Sequence, residues 1–320
     1  MKMSRNNFAR SFEAGDPRTS GFFKLQKIRT KAKLISRHFP EVIIILGQTA
    51  TGKSNLAVKI AKKIGGEIIS ADSRQVYKGL DIGTGKITYK EMRGVSHHLL
   101  DVANPKNKFT VADYQKHAIS AMAEIVQRKK IPIVCGGAGF YIDVITKGVV
   151  FPKVPPNFGL RKKLALVNDR SLMLKLQKLD PQRAKNIDPK NKVRLIRAVE
   201  IAQALGKVPP IAETAPPYEF IKIGLYLPAD KLKKKIEKRV KKMFQKGLLA
   251  EIKKLKKAEV SDKRLKELGF EYFNPTYEKV VKKTLQYAKR QMTWFKRDRE
   301  TKWFDASKKI DLKKMFSIFP

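Results

Sequence analysis

Short β-branched runs alternate along the chain with longer stretches whose apolar positions recur every three or four residues. Glu41-Val-Ile-Ile-Ile-Leu46 is continuously apolar after its first residue and stops at a glycine, as a strand buried on both faces does. In the stretch Ser54–Ile64, the residues Leu56, Ala57, Ile60, Ala61 and Ile64 share one helical face, and Gly65-Gly66 ends it. Glu67–Ser70 reads as the next strand, giving a strand-helix-strand unit whose crossover favours parallel pairing. His98–Val102, Ile131–Cys135 and Phe220–Leu227 are further strand candidates, with a helix over Val111–Gln127 between the first two. Strands alternating with helices predict an α/β fold, a doubly wound parallel sheet.

Around Phe151-Pro-Lys-Val-Pro-Pro156 the pattern changes. From Leu160 to Leu205 every periodic stretch is helical and highly charged, and the segment closes at Pro209-Pro210 and Pro216-Pro217 before a strand around Ile223 returns the chain to the sheet. The expected organisation is a core of residues 41–150 and 213–320 with an inserted helical subdomain over 151–212. Leu232–Leu255 reads as one strongly basic amphipathic helix, and Val280–Phe295 as another. Residues 1–40 are basic and acid-poor, with Arg5, Arg10, Arg18, Arg29 and Arg37. They read as a disordered extension, with an organellar transit segment as the alternative.

Charge adds a partner. Seventy Lys+Arg face 29 Asp+Glu, a formal net charge of +41, and such a surface attracts polyanions, nucleic acid first among them. A Lys-rich surface with no binding site is the alternative. No apolar run approaches the roughly 20 residues of a membrane helix, so no membrane partner is expected. The lone cysteine, Cys135, excludes an intramolecular disulfide and a cysteine-built metal cluster, which fits a reducing, cytoplasmic compartment. It lies in an apolar run and is expected to pack rather than react. His97-His98 invites a zinc reading, but neighbours on a strand point to opposite faces and no third ligand is evident.

Gly47-Gln48-Thr49-Ala50-Thr51-Gly52-Lys53-Ser54 fits G-x-x-x-x-G-K-[ST], between a buried strand and a helix, where the chemistry needs it. The glycines let backbone N–H groups curl around phosphate oxygens, Lys53 reaches the terminal phosphate, and the Ser54 hydroxyl can hold Mg²⁺. The second strand runs into Asp72-Ser73-Arg74-Gln75, which places Asp72 at the carboxyl edge of the sheet beside that loop. An acid there can hold Mg²⁺ or take a proton, or merely cap the following turn. Gly136-Gly137-Ala138-Gly139 should make another tight turn on the same edge. A P-loop alone names no reaction.

Read together, the P-loop, Ser70–Tyr77 with Asp81-Ile-Gly-Thr-Gly-Lys86, His97–Asp101, Gly136–Tyr141, Asp180-Pro181, Arg194–Ala198 with Glu200, Ile236–Arg239 and Tyr287–Phe295 resemble the tRNA dimethylallyltransferase family over about residues 42–304. The resemblance implies that the P-loop holds the diphosphate of dimethylallyl diphosphate, and that the exocyclic amine of an adenine beside the tRNA anticodon attacks the allylic carbon. It implies Asp72 as the general base, and Thr49 and Arg239 as groups that stabilise the departing diphosphate with Lys53 and Mg²⁺ on Ser54. Asp72, Ser73, Arg74, Gln75 and Ala138 would meet the flipped adenine and its neighbours. Arg161, Val193, Arg194, Leu195, Ile196 and Arg197 would meet the anticodon stem-loop, and the Lys-rich faces of Leu232–Leu255 would contact RNA phosphates.

The chain departs from the family pattern at three places: Gln48 replaces a proline, Ala138 replaces a threonine whose hydroxyl lies near the RNA, and Gly269-Phe-Glu-Tyr272 stands for Gly-Tyr-Lys-Glu, with no role assigned. Competing readings are a P-loop kinase or ATPase, an RNA-binding protein with a relic P-loop, and a prenyltransferase of free adenine nucleotides. A helical insertion and so much positive charge favour tRNA over a mononucleotide. A monomer is the default expectation.

Overall fold

The structure, a computed structural model, describes residues 40–317; residues 1–39 of the expected extension lie outside it. The chain divides into two compact units, one comprising the residues up to Lys147 and from Pro216 onward, the other Gly148–Ala215.

In the first unit β1 (Glu41–Gly47), α1 (Lys53–Ile64), β2 (Glu67–Ala71), α2 (Tyr89–Met92), β3 (His97–His98), α3 (Val111–Gln127), β4 (Pro132–Gly136) and α4 (Gly139–Thr146) follow one another. The second unit holds β5 (Val149–Val150), α5 (Phe158–Ala165), α6 (Asp169–Leu179), α7 (Pro181–Lys185), α8 (Lys192–Leu205) and β6 (Ala212–Glu213). The chain then returns with β7 (Glu219–Tyr226), α9 (Ala229–Gln245), α10 (Leu248–Lys257), α11 (Asp262–Leu268), α12 (Tyr277–Phe295), β8 (Lys302–Asp305) and α13 (Leu312–Ser317).

Six strands form one parallel sheet in the order β3-β2-β4-β1-β7-β8. β1 lies near the middle and is buried from Val42 to Gly47, which is why its sequence is an unbroken apolar run. Helix α1 packs Leu56, Ala57, Ile60, Ala61 and Ile64 against the sheet in one cluster with Ile43, Ile45, Ile133 and Ile223. Its end is set by Gly65, whose φ of 71° is the left-handed cap that glycine makes without strain.

Two sequence expectations change and a third gains detail. The strand expected over His98–Val102 is only His97–His98, because Leu99 and Asp101 take φ of 62° and 57° and turn the chain off the sheet. The basic helix expected over Leu232–Leu255 is two, α9 and α10, broken at Gly247 with φ of 97°. The charged segment Leu160–Leu205 is four short helices, each opened by an Asn or Asp side chain that accepts a backbone N–H: Asn157, Asn168, Asp180 and Asn191. The two-residue strands β5 and β6, and the closing β8 and α13, carry too little periodicity to be seen in the sequence.

The second unit is organised around Glu200. Its carboxylate accepts from Asn157 N at 2.6 Å, from Arg161 Nε and Nη2 at 2.9 and 2.7 Å, and from Arg197 Nη1. Burial alone would raise its pKa, but the hydrogen bonds from Arg161, Arg197 and Asn157 outweigh it and hold the carboxyl at about 2. Arg197 also donates to Val154 O at 2.8 Å. Arg161 and Arg197, expected at the RNA, thus have structural work of their own, and Leu195, 0% exposed, packs in the helical core and offers RNA no side chain. Val193 and Arg194 are exposed on the same helix.

A carboxyl held below its unfolded pKa adds stability above about pH 4.5, and that stability is lost as pH falls towards 2. Glu200→Gln should therefore destabilise the protein by about 3 kcal/mol at pH 7, as removing one partner of a buried pair does. Urea unfolding at pH 7, 4 and 2.5 should show the gap between variant and native protein narrowing at each step.

Candidate active site

The site forms where three loops leave the carboxyl edge of the sheet. After β1, Gly47 takes φ of 135° and lies so close to β7 that a Cβ would meet Leu225 O at 2.2 Å. Ala50 and Gly52 follow with φ of 63° and 91°, which curls the backbone at the start of α1. After β2, Asp72 Oδ1 accepts from Arg74 N at 2.9 Å and Gln75 N at 3.3 Å, which fixes the carboxylate at the strand end. After β4, Gly136 leaves no room for a side chain, since a Cβ would stand 2.0 Å from Ala71 O. Ala138 N donates to the same Ala71 oxygen at 3.1 Å, so the turn is held through its backbone although the family hydroxyl is missing.

Helix α12 ties these loops together. Gln291, 5% exposed, accepts from Thr49 N at 2.8 Å and donates Nε2 to Gly137 O at 2.9 Å, one amide bridging two loops. Gln48, where the family has proline, is buried and donates Nε2 to Ala288 O on the same helix at 3.3 Å. The substitution therefore docks the P-loop rather than merely being tolerated. Gln48 O in turn accepts from Thr51 Oγ1 at 2.8 Å and from Lys53 Nζ at 2.6 Å.

A second support comes from α9 and α10. Glu251 accepts from the backbone N–H groups of Asp81, Ile82 and Gly83 at 2.7 to 3.1 Å and from Tyr272 Oη at 2.9 Å. That holds the loop carrying Thr84, whose carbonyl accepts from Arg239 Nη2 at 2.7 Å. Gly85 takes φ of 58°, which favours glycine, and a Cβ there would stand 2.3 Å from Arg239 Nη2 and displace the guanidinium.

Together these residues line a cleft of about 970 Å³ that contains Thr49, Lys53, Ser54, Asp72, Gly137, Arg239 and Tyr287. A smaller cavity of about 40 Å³ shares Thr49, Asp72, Arg239 and Tyr287 with it and adds Ser73 and Arg74. Burial pulls Lys53 down to about 8, and the neighbouring Arg239 acts the same way, against the pull of Asp72 and Cys135. Burial also lowers Arg239 and pushes the Cys135 thiol up to about 11, so that thiol stays protonated and packs, as its apolar run suggested.

Of the expected base contacts, Asp72, Ser73, Arg74 and Gln75 do sit at the site, but Arg74 is already engaged. Its guanidinium donates to Glu271 and lies 5.1 Å from the Phe270 ring centre and 6.0 Å from that of Tyr287. Phe270 and Glu271, given no role from the sequence, are thus what orient Arg74. Gln291 and Tyr287 were missed as individuals. The available signal was a glutamine at a core position of an apolar stripe with Ala288 and Phe295, where a polar side chain needs a partner. His97 and His98 are occupied by Val95 O and Glu67, respectively. Among the described residues, no helix is long and apolar enough to cross a membrane.

Fold and cleft define an α/β protein whose parallel sheet carries, at its carboxyl edge, a glycine-curled loop with Lys53 and Ser54 beside a fixed carboxylate, Asp72. The family model of IPP transferases matches residues 75–298. A tRNA dimethylallyltransferase of Halothermothrix orenii is 38% identical over 297 residues, 86% of this chain and 90% of that protein. The full-length tRNA isopentenylpyrophosphate transferase of Bacillus halodurans superimposes with a TM-score of 0.63 at 34% identity, covering 87% of this chain and 93% of that one. A eukaryotic dimethylallyltransferase described as acting on tRNA gives a TM-score of 0.71 at 26% identity, covering 83% and 74%. The chain belongs to the IPP transferase family.

An anion entering the cleft should restore the charge on Lys53. Because that lysine titrates near 8 in the free protein, binding of inorganic pyrophosphate at pH 8 should take up a proton, and affinity should fall as pH rises further. Calorimetry in buffers of different ionisation enthalpy, comparing native protein with Lys53→Met, isolates that proton.

Proposed function

We propose that this protein transfers the dimethylallyl group of dimethylallyl diphosphate to the exocyclic N6 amine of an adenine beside the anticodon of tRNA, releasing pyrophosphate. The observation that carries this reading is the shared cleft: anion-binding groups Thr49, Lys53 and Arg239 on one side of the same space as the Asp72 carboxylate. Family membership supplies the reaction class.

In the transfer the allylic C–O bond breaks and a C–N bond to the adenine amine forms. The amine proton passes to Asp72, whose Oδ1 is turned by two backbone N–H groups so that the carboxylate keeps a fixed aim. Charge grows on the departing diphosphate, where Lys53, Arg239 and the Thr49 hydroxyl meet it. Arg239 is held by Thr84 O and Thr49 by Gln291, so neither has to reorganise as that charge appears. The Ser54 hydroxyl at the cleft fits Mg²⁺ completed by diphosphate oxygens and water, which leaves the Asp72 carboxylate free to take the proton. When bound there, it would neutralise diphosphate charge. Ser73, Gln75 and the Ala138 turn would face the adenine, and the exposed Val193 and Arg194 the anticodon stem-loop.

The test is to incubate the protein with Mg²⁺, dimethylallyl diphosphate and unmodified tRNA, digest the RNA and look by mass spectrometry for prenyl-adenosine. Native protein should give it, and Asp72→Asn should lower kcat by about 10²- to 10⁴-fold, the range of general-base catalysis, with little change in pyrophosphate affinity. ATP hydrolysis or phosphoryl transfer without prenyl-adenosine would sink the proposal.

A further inference from the structure

The cleft holds more positive charge than one diphosphate needs. Eight cationic side chains line it against three carboxylates, Asp72, Asp81 and Glu91. Two of those acids are engaged: Asp81 pairs with Lys86, and the Glu91 carboxylate accepts from Thr88 N and Oγ1. Four of the cations, Lys235, Lys238 and Lys242 on α9 and Lys246 at its C-cap, follow one another at spacings of three and four residues on the face that also carries Arg239. The row spans about 16 Å of helix. All four are exposed, and among the described residues none forms an ion pair within 4.0 Å, although Lys246 is near enough to Glu91 to help hold that carboxyl below its usual range. Other lysines of the same helices, Lys233, Lys234, Lys241 and Lys254, are also exposed but do not line the cleft.

We infer that Lys235, Lys238, Lys242 and Lys246 form a capture site for diphosphate anions, which leads the donor's charged end to Arg239 and the P-loop and gives pyrophosphate its way out. The inference rests on the reading of the P-loop cleft as a diphosphate site. A cleft lined by one sign of charge focuses its field and speeds association of the opposite charge, by ten- to a thousandfold, in a manner that salt suppresses. Such a row does not hold the anion in reacting geometry, which is left to Lys53, Arg239 and the loop N–H groups. It also differs from an RNA-binding face in where it points, since it shares the cleft with Lys53 and Ser54.

Stopped-flow binding of inorganic pyrophosphate tests it without any need for turnover. The row variant Lys235→Gln/Lys238→Gln/Lys242→Gln/Lys246→Gln is compared with Lys233→Gln/Lys234→Gln/Lys241→Gln/Lys254→Gln, which removes the same charge from outside the cleft. At low ionic strength the row variant should associate at least about tenfold more slowly than native protein and the control less than about threefold. The two should converge as salt rises, and tRNA affinity should fall alike in both. Equal slowing in the two variants would reduce the row to net charge and overturn the inference. So would an unchanged pyrophosphate rate with selective loss of tRNA affinity in the row variant, which would make it an RNA contact. Slowing confined to the row variant in a protein that transfers no prenyl group would leave the capture site standing and the transfer reading overturned.

Discussion

The side-chain amide of Gln291 is the interaction on which the site depends. A strand that ends in a glycine-curled loop leaves the sheet there, so the loop cannot be held by the usual backbone ladder. Here one amide accepts from Thr49 N and donates to Gly137 O, tying the loops after β1 and β4 to α12. The same solution recurs. Glu251 holds the backbone of 81–83, and Glu271 with Phe270 holds Arg74. Each is a polar group buried with its partners satisfied, an arrangement that fixes geometry because any other leaves an unpaired buried atom.

Electrostatics makes this scaffold responsive. Lys53 and Arg239 are half-buried near one another with Asp72 close by, so positive charge is held where water is short. An entering anion offsets that charge.

Legibility in the sequence followed physical distance along the chain. The P-loop, the Asp72 turn and the central strands could be read because their signals are local: an apolar run, glycines at fixed offsets, a helix period. What could not be read were partners far apart. Gln291 sits 242 residues from Thr49, and Glu271 sits 197 from Arg74. Period alone also misjudged continuity, since Gly247 breaks one basic stripe into α9 and α10, and two left-handed residues cut β3 short. Arg161 and Arg197 also hold Glu200, a buried acid whose need for partners no local pattern displays.

The docking of Gln48 onto Ala288 has a consequence for how the protein is made. In a loop stiffened by a proline ring, rigidity is present as soon as the segment is synthesised. Here part of it is supplied from 240 residues downstream. On the ribosome the early sheet strands and α1 emerge first, yet the phosphate loop lacks its clasp until α12 has left the exit tunnel. The final shape of the loop is thus a late event of synthesis, and a chain truncated before α12 would hold the whole P-loop motif without the side chains that clasp it.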